Sequence, residues 1–210
     1  MSTLEELSKA VIAGNEANVK SLTQAALHEG VKPLSVINDG LIAGMNVVGK
    51  RFKVGDMFVP EVLMSARAMA AGVELVKPLL AGGQMVNKGT IVLGTVKGDL
   101  HDIGKNLVGM MLESSGYKVI DMGVDTSPEE FVAAAQKNSA QIVGLSALLT
   151  TTMLAMKDTI EAFIQEGIRN NVKIIIGGAP ISHTFAEEIG ADGFAPDAAS
   201  ATELVGQLLA

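Results

Sequence analysis

The spacing of apolar residues along the chain changes near residue 85. Before that point, apolar residues recur every three or four positions, a period typical of amphipathic helices. Glycine and proline interrupt this half at places where helices end or begin. The pattern predicts a compact bundle of four helices at about residues 3–13, 15–29, 33–48 and 60–79.

The second half alternates short apolar runs with helical segments, which is typical of an α/β domain. Strands are predicted at Thr90–Val96, Lys118–Met122, Gln141–Leu145, Lys173–Ile176 and Gly193–Ala195. Helices are predicted at about 105–115, 127–138, 152–166, 183–189 and 198–209. We expect an open, doubly wound sheet of five parallel strands in the order 2-1-3-4-5, flavodoxin-like or Rossmann-like. A linker at 81–89, with Gly82 and Gly83, divides a helical domain, 1–84, from an α/β domain, 85–210.

Composition excludes several classes of function. The 210 residues include no cysteine, so disulfides, thiolate metal sites and cysteine nucleophiles are excluded. A net charge of −7 and an aromatic share of 3% argue against nucleic-acid binding by a basic or stacking surface. The chain opens like a capped acidic helix, and its apolar runs are too short to span a bilayer. We expect a cytoplasmic protein that binds neither nucleic acid nor membrane.

Ligands of such sheets bind beyond the carboxyl ends of the strands, near the point where the strand order reverses. The segments that follow strands 1, 3, 4 and 5 should therefore meet at one rim. These candidate segments are Gly98–Gly104, Ser146–Thr151, Gly177–Pro180 and Pro196–Ala198.

The first of these loops contains Asp99 and His101, which lie on the same side of an extended backbone. A carboxylate beside an imidazole fixes its tautomer and raises the basicity of the other ring nitrogen, as suits a general base or a metal ligand. The same residues are also compatible with a helix cap at Asp99 and an ordinary surface histidine.

A metal site built from several protein ligands is not expected. The other histidines, His28 and His183, are most simply explained as surface residues, so the rim offers one imidazole. One histidine is enough when a macrocycle supplies the remaining ligands of the metal.

The other rim segments leave alternatives open. Ser146 could donate to a ligand, but no G-x-S-x-G motif marks it as a nucleophile. Thr150–Thr152 could cap a helix or line a site. Gly177 and Gly178 could form a turn or clear space beside a flat ligand. Glycine-rich phosphate-binding motifs are missing from this half, which argues against nicotinamide and nucleoside triphosphate enzymes.

Three motifs together resemble the cobalamin-binding signature of corrinoid proteins. They are D-x-H-x-x-G at Asp99–Gly104, S-x-L at Ser146–Leu148 and G-G at Gly177–Gly178. They are separated by 41 and 28 residues, which agrees with the spacing of that family. The helical half, at Gly44–Phe52 and Met57–Val62, is similar to the cap that precedes the cobalamin domain of methionine synthase. The two-part layout also resembles the small corrinoid proteins of methanol and methylamine methyltransferase systems.

The resemblance implies roles for individual residues. His101 would be the lower axial ligand of cobalt through Nε2, with Asp99 hydrogen-bonded to its Nδ1, and Ser146 would complete the catalytic set. The nucleotide tail of the cofactor would lie along the G-G segment, and Phe52 and Val59 would cover the methyl-bearing face. The full set of residues expected to bind the cofactor is Gly98, Asp99, Leu100, His101, Asp102, Ile103, Gly104, Ser146, Leu148, Thr150, Gly177, Gly178, Ala179, Phe194, Asp197, Ala198, Phe52 and Val59.

The function implied by the resemblance is a corrinoid methyl carrier, a subunit more than a complete enzyme. It would cycle between cobalt(I) and methylcobalt(III), taking a methyl group from a substrate-specific methyltransferase and delivering it to a methyl-acceptor methyltransferase. One alternative is the cobalamin-binding subunit of a radical mutase, which would lack the helical cap. Another is a cobalamin-sensing regulatory module, which would add a basic helix-turn-helix region. A doubly wound domain whose glycines and histidine only shape loops is the remaining possibility.

Overall fold

The computed structural model describes residues 2–79 and 87–210. The chain forms two compact units, one reaching to Asn87 together with Glu113–Gly116, the other comprising Lys88–Leu112 and Tyr117–Ala210. The predicted domain boundary after residue 84 and the predicted Gly82-Gly83 linker lie outside the described residues. Within the described ranges, no helix has the length and hydrophobicity required to cross a membrane.

The first unit is built from helices whose starts are fixed by local hydrogen bonds. The Ser2 hydroxyl accepts from the Glu5 amide, and the Asn15 side chain accepts from the Asn18 amide, so two helices begin with satisfied amides. The helices are α1 Thr3–Ile12, α2 Glu16–His28, α3 Pro33–Ser35, α4 Ala43–Lys53 and α5 Val59–Val76.

The third predicted helix differs from expectation in length and geometry. A π-helix, Val36–Ile42, joins α3 to α4, so one helical segment continues from Pro33 to Lys53 rather than ending at 48. The last turn of α4 contains Lys50, Arg51 and Lys53, so the spacing of apolar residues does not indicate that the helix continues there. Cations near a helix C-terminus nevertheless stabilise it through the dipole. The expected bundle is therefore present, but the prediction of its third helix end was wrong.

The second unit has the predicted α/β alternation. Its elements are β1 Thr90–Thr95, α6 Ile103–Ser114, β2 Lys118–Asp121, α7 Pro128–Asn138, β3 Ile142–Ser146, α8 Leu154–Gln165, β4 Lys173–Gly177, α9 His183–Glu188, β5 Gly193–Phe194 and α10 Ala198–Leu208. The strands pair in parallel in the order β2-β1-β3-β4-β5, which confirms the expected fold and strand order.

Both faces of this sheet are covered by helices. On one face, Ile91 and Leu112 belong to a buried cluster formed with α6 and α10. On the other, Phe131 of α7 and Phe163 of α8 are fully buried in a larger cluster. Alternate side chains of the strands enter the two clusters, as a doubly wound sheet requires.

The register of the central strands aligns their carboxyl ends. Thr95 of β1 lies opposite Ser146 of β3, which in turn lies opposite Gly177 of β4. The loops that follow these residues therefore leave the sheet side by side, which places the first three candidate segments at one edge.

We expect Gly94→Ala to destabilise the second unit. A Cβ at Gly94 would lie 2.7 Å from Cζ of Phe131 and 3.0 Å from Cβ of Met122. Overpacking against a fully buried ring costs about 1–3 kcal/mol. Denaturant unfolding followed by circular dichroism would measure the loss.

Gly206→Ala in α10 is the matched control, because its nearest neighbour, Tyr117 Oη, is 3.6 Å away. The control should be neutral or slightly stabilising, since alanine favours a helix. Equal unfolding midpoints for the two variants would contradict the expected clash.

Candidate functional site

The loop after β1 starts with a tight turn that buries one residue and exposes its neighbours. Gly98 has a left-handed φ of +83°, and the Asp99 amide donates to the Val96 carbonyl at 3.1 Å, as in a type II turn. Asp99 is fully buried, whereas Leu100 is 72% exposed. The turn thus directs the Asp99 carboxylate into the protein and leaves the following residues at the surface.

Both oxygens of the Asp99 carboxylate accept hydrogen bonds. Oδ1 accepts from the His101 amide at 3.0 Å and lies 2.7 Å from His101 Nδ1. Oδ2 accepts from the amides of Leu148 at 2.8 Å and Leu149 at 3.3 Å, and from Thr152 Oγ1 at 2.6 Å. The carboxylate therefore joins the loop after β1 to the loop after β3.

These hydrogen bonds keep Asp99 ionised although it is buried. Burial by itself raises the pKa of the carboxyl group, because it disfavours the charged form. The hydrogen bonds from Thr152, Leu148 and His101 outweigh burial and hold the pKa of Asp99 well below its usual range. The negative charge is consequently fixed beside the imidazole at neutral pH.

His101 is oriented from two sides. Its Nδ1 is held by Asp99, and its carbonyl accepts from Thr95 Oγ1 at 2.8 Å. The side chain remains 49% exposed, which leaves Nε2 as the ring nitrogen available to a ligand. This arrangement matches the predicted pairing on one side of the backbone, and it suits an axial metal ligand whose tautomer is fixed by a carboxylate.

Large apolar side chains are exposed in both loops, near His101 in the loop after β1 and in the loop after β3. Leu100, Ile103, Leu148 and Leu149 are all exposed, and Ile103 reaches 82%. A Cβ at Gly104 would meet nothing within 4 Å. Large exposed apolar side chains of this kind are candidates for contact with an apolar ligand.

The loop after β3 contains a contact that the sequence interpretation missed. Thr152 was expected to cap a helix or line a site as part of Thr150–Thr152. The Thr152 hydroxyl is buried and donates to Asp99 Oδ2, and α8 begins after Met153 without a side-chain cap, so the structure contradicts the helix cap for this residue. Thr150 is exposed, and Ser146 is half-buried at the end of β3.

The G-G segment is shaped by close approach of the backbone. A Cβ at Gly178, which has a φ of +135°, would lie 1.8 Å from the Ala147 carbonyl oxygen, and one at Gly177 would lie 2.9 Å from that of Ala195. The fold itself therefore requires glycine at Gly178. Space for a ligand is an additional hypothesis.

The remaining predicted residues have different surroundings. Asp197 caps α10 by accepting from the Ser200 amide at 2.8 Å, Ala198 begins that helix, and Phe194 ends β5 opposite Ile176. Asp102 accepts from Asn106 Nδ2 at 3.0 Å, and Ala179 is exposed.

Phe52 and Val59 belong to the first unit, where Phe52 is half-buried in α4 and Val59 begins α5. Their predicted role toward the cofactor stays a prediction.

Two family models, each described as a B12 binding domain, match the chain. One covers residues 89–205 and therefore most of the α/β unit, and the other covers residues 3–77 in the helical unit.

Curated relatives are similar over nearly the whole chain. A corrinoid protein of Desulfitobacterium hafniense (strain Y51) is 47% identical, covering 100% of this chain and 98% of the relative. Dimethylamine corrinoid protein 1 of Methanosarcina acetivorans is 46% identical, covering 99% of this chain and 97% of the relative.

Two solved structures are similar to this chain over nearly its whole length. The methanol:cobalamin methyltransferase complex of Methanosarcina barkeri contains a chain with a TM-score of 0.88 and 35% identity, covering 99% of this chain and 79% of that one. A cobalamin-binding protein from Desulfitobacterium hafniense DCB-2 gives a TM-score of 0.83 and 31% identity, with 98% of each chain covered.

We expect Asp99→Asn to lower stability at neutral pH, because one amide cannot accept from all the donors that face the carboxylate. The loss should be about 1–3 kcal/mol. The low pKa of Asp99 in the folded state also predicts a pH dependence. The carboxylate stabilises the fold above its unfolded pKa of about 3.9, and this contribution is lost as the pH falls toward the folded value.

Denaturant unfolding between about pH 3 and pH 7 would measure both effects. Stability of the wild-type chain should fall more steeply with acidification than that of the variant. Parallel profiles would contradict the assigned ionisation.

Proposed function

Because the chain belongs to the B12 binding domain family, with cobalamin as its cofactor, we propose that it is a corrinoid methyl carrier that cycles between cobalt(I) and methylcobalt(III). The observation that carries the proposal is the His101–Asp99–Thr152 network, in which a half-exposed imidazole is oriented by a buried carboxylate. The family accounts for the cofactor, and the network accounts for how this chain would hold cobalt.

Cobalamin supplies a cobalt centre that can take up a methyl group and release it to an acceptor. The chain would contribute His101 Nε2 as a ligand to the cobalt. Asp99 would keep the ring orientation, because Oδ1 engages Nδ1 and leaves the other nitrogen for the metal.

Thr152 and the Leu148 amide would hold that carboxylate in place. The exposed side chains of Leu100 and Ile103 would exclude water from the macrocycle edge.

The layout of the whole chain supports a carrier more than a radical mutase subunit. A radical mutase subunit would lack the helical cap. Residues 3–77 of this chain, in contrast, match a B12 binding domain model of their own. The relatives at 46–47% identity are corrinoid proteins that this chain covers over 97–98% of their length. A carrier with both parts is therefore the better explanation.

The partners that we propose are two methyltransferases acting in the cytoplasm. Relatives include a dimethylamine corrinoid protein and a chain of a methanol:cobalamin methyltransferase complex. Because relatives named for different methyl donors share this architecture, we infer that a substrate-specific methyltransferase selects the donor. A second methyltransferase would pass the methyl group to its acceptor.

His101→Ala should abolish the histidine-ligated visible spectrum of hydroxocobalamin bound to the purified chain, because the axial nitrogen is lost. His183→Ala is the matched control, since His183 is an exposed imidazole that begins α9. Absorption spectroscopy after removal of unbound cofactor would measure both. An unchanged spectrum in His101→Ala would overturn the axial role, and a wild-type chain that retains no cobalamin would overturn the proposed function.

Gly104→Ala should separate ligand contact from protein packing. Apart from its sequence neighbours and the backbone of its own helix, the added methyl group meets nothing within 4 Å, and it lies in the first turn of α6, where alanine is compatible with the helix. We therefore expect unchanged or increased stability together with weaker cobalamin affinity. Equilibrium dialysis and denaturant unfolding would measure the two quantities. Wild-type affinity would argue against a cofactor contact at Gly104, and Gly206→Ala again controls for the substitution.

A further inference from the structure

Asp125 has an unusual backbone conformation outside all three motifs. It lies in the loop between β2 and α7, is exposed, and has a left-handed φ of +54°. This conformation is unfavourable for an ordinary L-residue, although aspartate and asparagine tolerate it better than most. Such residues persist where surrounding contacts hold them, and they often occur at functional sites.

The contacts that hold Asp125 lead directly to the loop that contains His101. Asp125 Oδ1 accepts from the Gly98 amide at 2.7 Å. Its own amide donates to the Asp99 carbonyl at 3.0 Å. Asp125 therefore binds the main chain at two successive residues, as acceptor at Gly98 and as donor at Asp99.

The loop that carries Asp125 is itself fixed against β1. Thr126 forms a parallel bridge with Val96, and its amide donates to the Thr95 carbonyl at 3.0 Å. Immediately afterwards, Ser127 caps α7 by a reciprocal pair of hydrogen bonds with Glu130. The residues that follow Asp125 are thus held by hydrogen bonds to β1 and by the cap of α7, which suits Asp125 to positioning the neighbouring loop.

We propose that Asp125 is a positioning residue for His101, holding the main chain of Gly98 and Asp99 in the conformation that presents the imidazole. This inference rests on the proposed axial role of His101. Thr95 fixes the main chain at His101, and the loop after β3 fixes the side chain of Asp99. Asp125 supplies the third support, on the amino-terminal side of the loop.

The expected effect follows from preorganisation. Without Asp125, the Gly98–Asp99 segment in the cofactor-free chain populates additional conformations. Apparent affinity then falls in proportion to the fraction of molecules that remain competent to bind. A hydrogen bond to a carboxylate contributes enough to change that fraction by about tenfold.

Three variants separate the backbone effect from the side-chain contact. Asp125→Asn retains an acceptor oxygen and the tolerance for the left-handed conformation. Asp125→Gly retains the conformation but removes the acceptor, and Asp125→Ala removes both. Glu129→Ala, at an exposed position of α7, controls for the loss of a negative charge nearby.

Two measurements test the proposal, one without cofactor and one with it. Amide hydrogen exchange on the cofactor-free chain should be about tenfold faster at Gly98 and His101 in the glycine and alanine variants. Titration with hydroxocobalamin should show about tenfold weaker affinity, with part of the bound cofactor lacking the histidine-ligated spectrum. The asparagine variant and Glu129→Ala should behave like the wild-type chain in both measurements.

Wild-type exchange at His101, or wild-type affinity and spectrum, in Asp125→Gly and Asp125→Ala would overturn the inference. Failure of the proposed function gives a different result, because the wild-type chain itself would then lack the histidine-ligated spectrum. In that case, amide exchange at Gly98 and His101 still decides whether Asp125 positions the loop.

Discussion

The buried carboxylate of Asp99 is the interaction on which the arrangement of this site depends. It is fully buried, yet it accepts from His101, from two amides of the loop after β3 and from Thr152. Each donor would lose its partner if the carboxylate were removed, so both loops depend on the same group. The orientation of His101 is therefore a consequence of how two loops distant in sequence meet.

The strand order explains why those loops meet. β1 lies between β2 and β3, so the loops after both neighbours leave the sheet next to the loop after β1. Thr152 arrives from the β3 side and Asp125 from the β2 side. The strand order thus affects the loop after β1 as well as the place where a ligand could bind. It gives the loop that contains His101 support on both sides.

Sequence patterns predicted elements and motifs well because those signals are local. The five strands and the placement of Asp99 and His101 on one side of the backbone follow from short-range spacing, whereas the strand order was expected only because doubly wound sheets of five strands often adopt it. The bond from Thr152 to Asp99 joins residues 53 apart, so no periodicity or local motif encodes it. A π-helix is likewise hidden, because the buried positions Val36, Ile37, Gly40 and Leu41 keep a four-residue spacing that an ordinary α-helix also has.

The glycines of the three motifs differ in whether the packing of the protein explains them. Gly178 is explained by the protein alone, because its φ and the nearby Ala147 carbonyl oxygen exclude any side chain. Gly104 has no such explanation, since an added Cβ would meet nothing within 4 Å apart from its sequence neighbours and the backbone of its own helix. Gly104 therefore supports the proposed close approach of the cofactor more directly than Gly178 does.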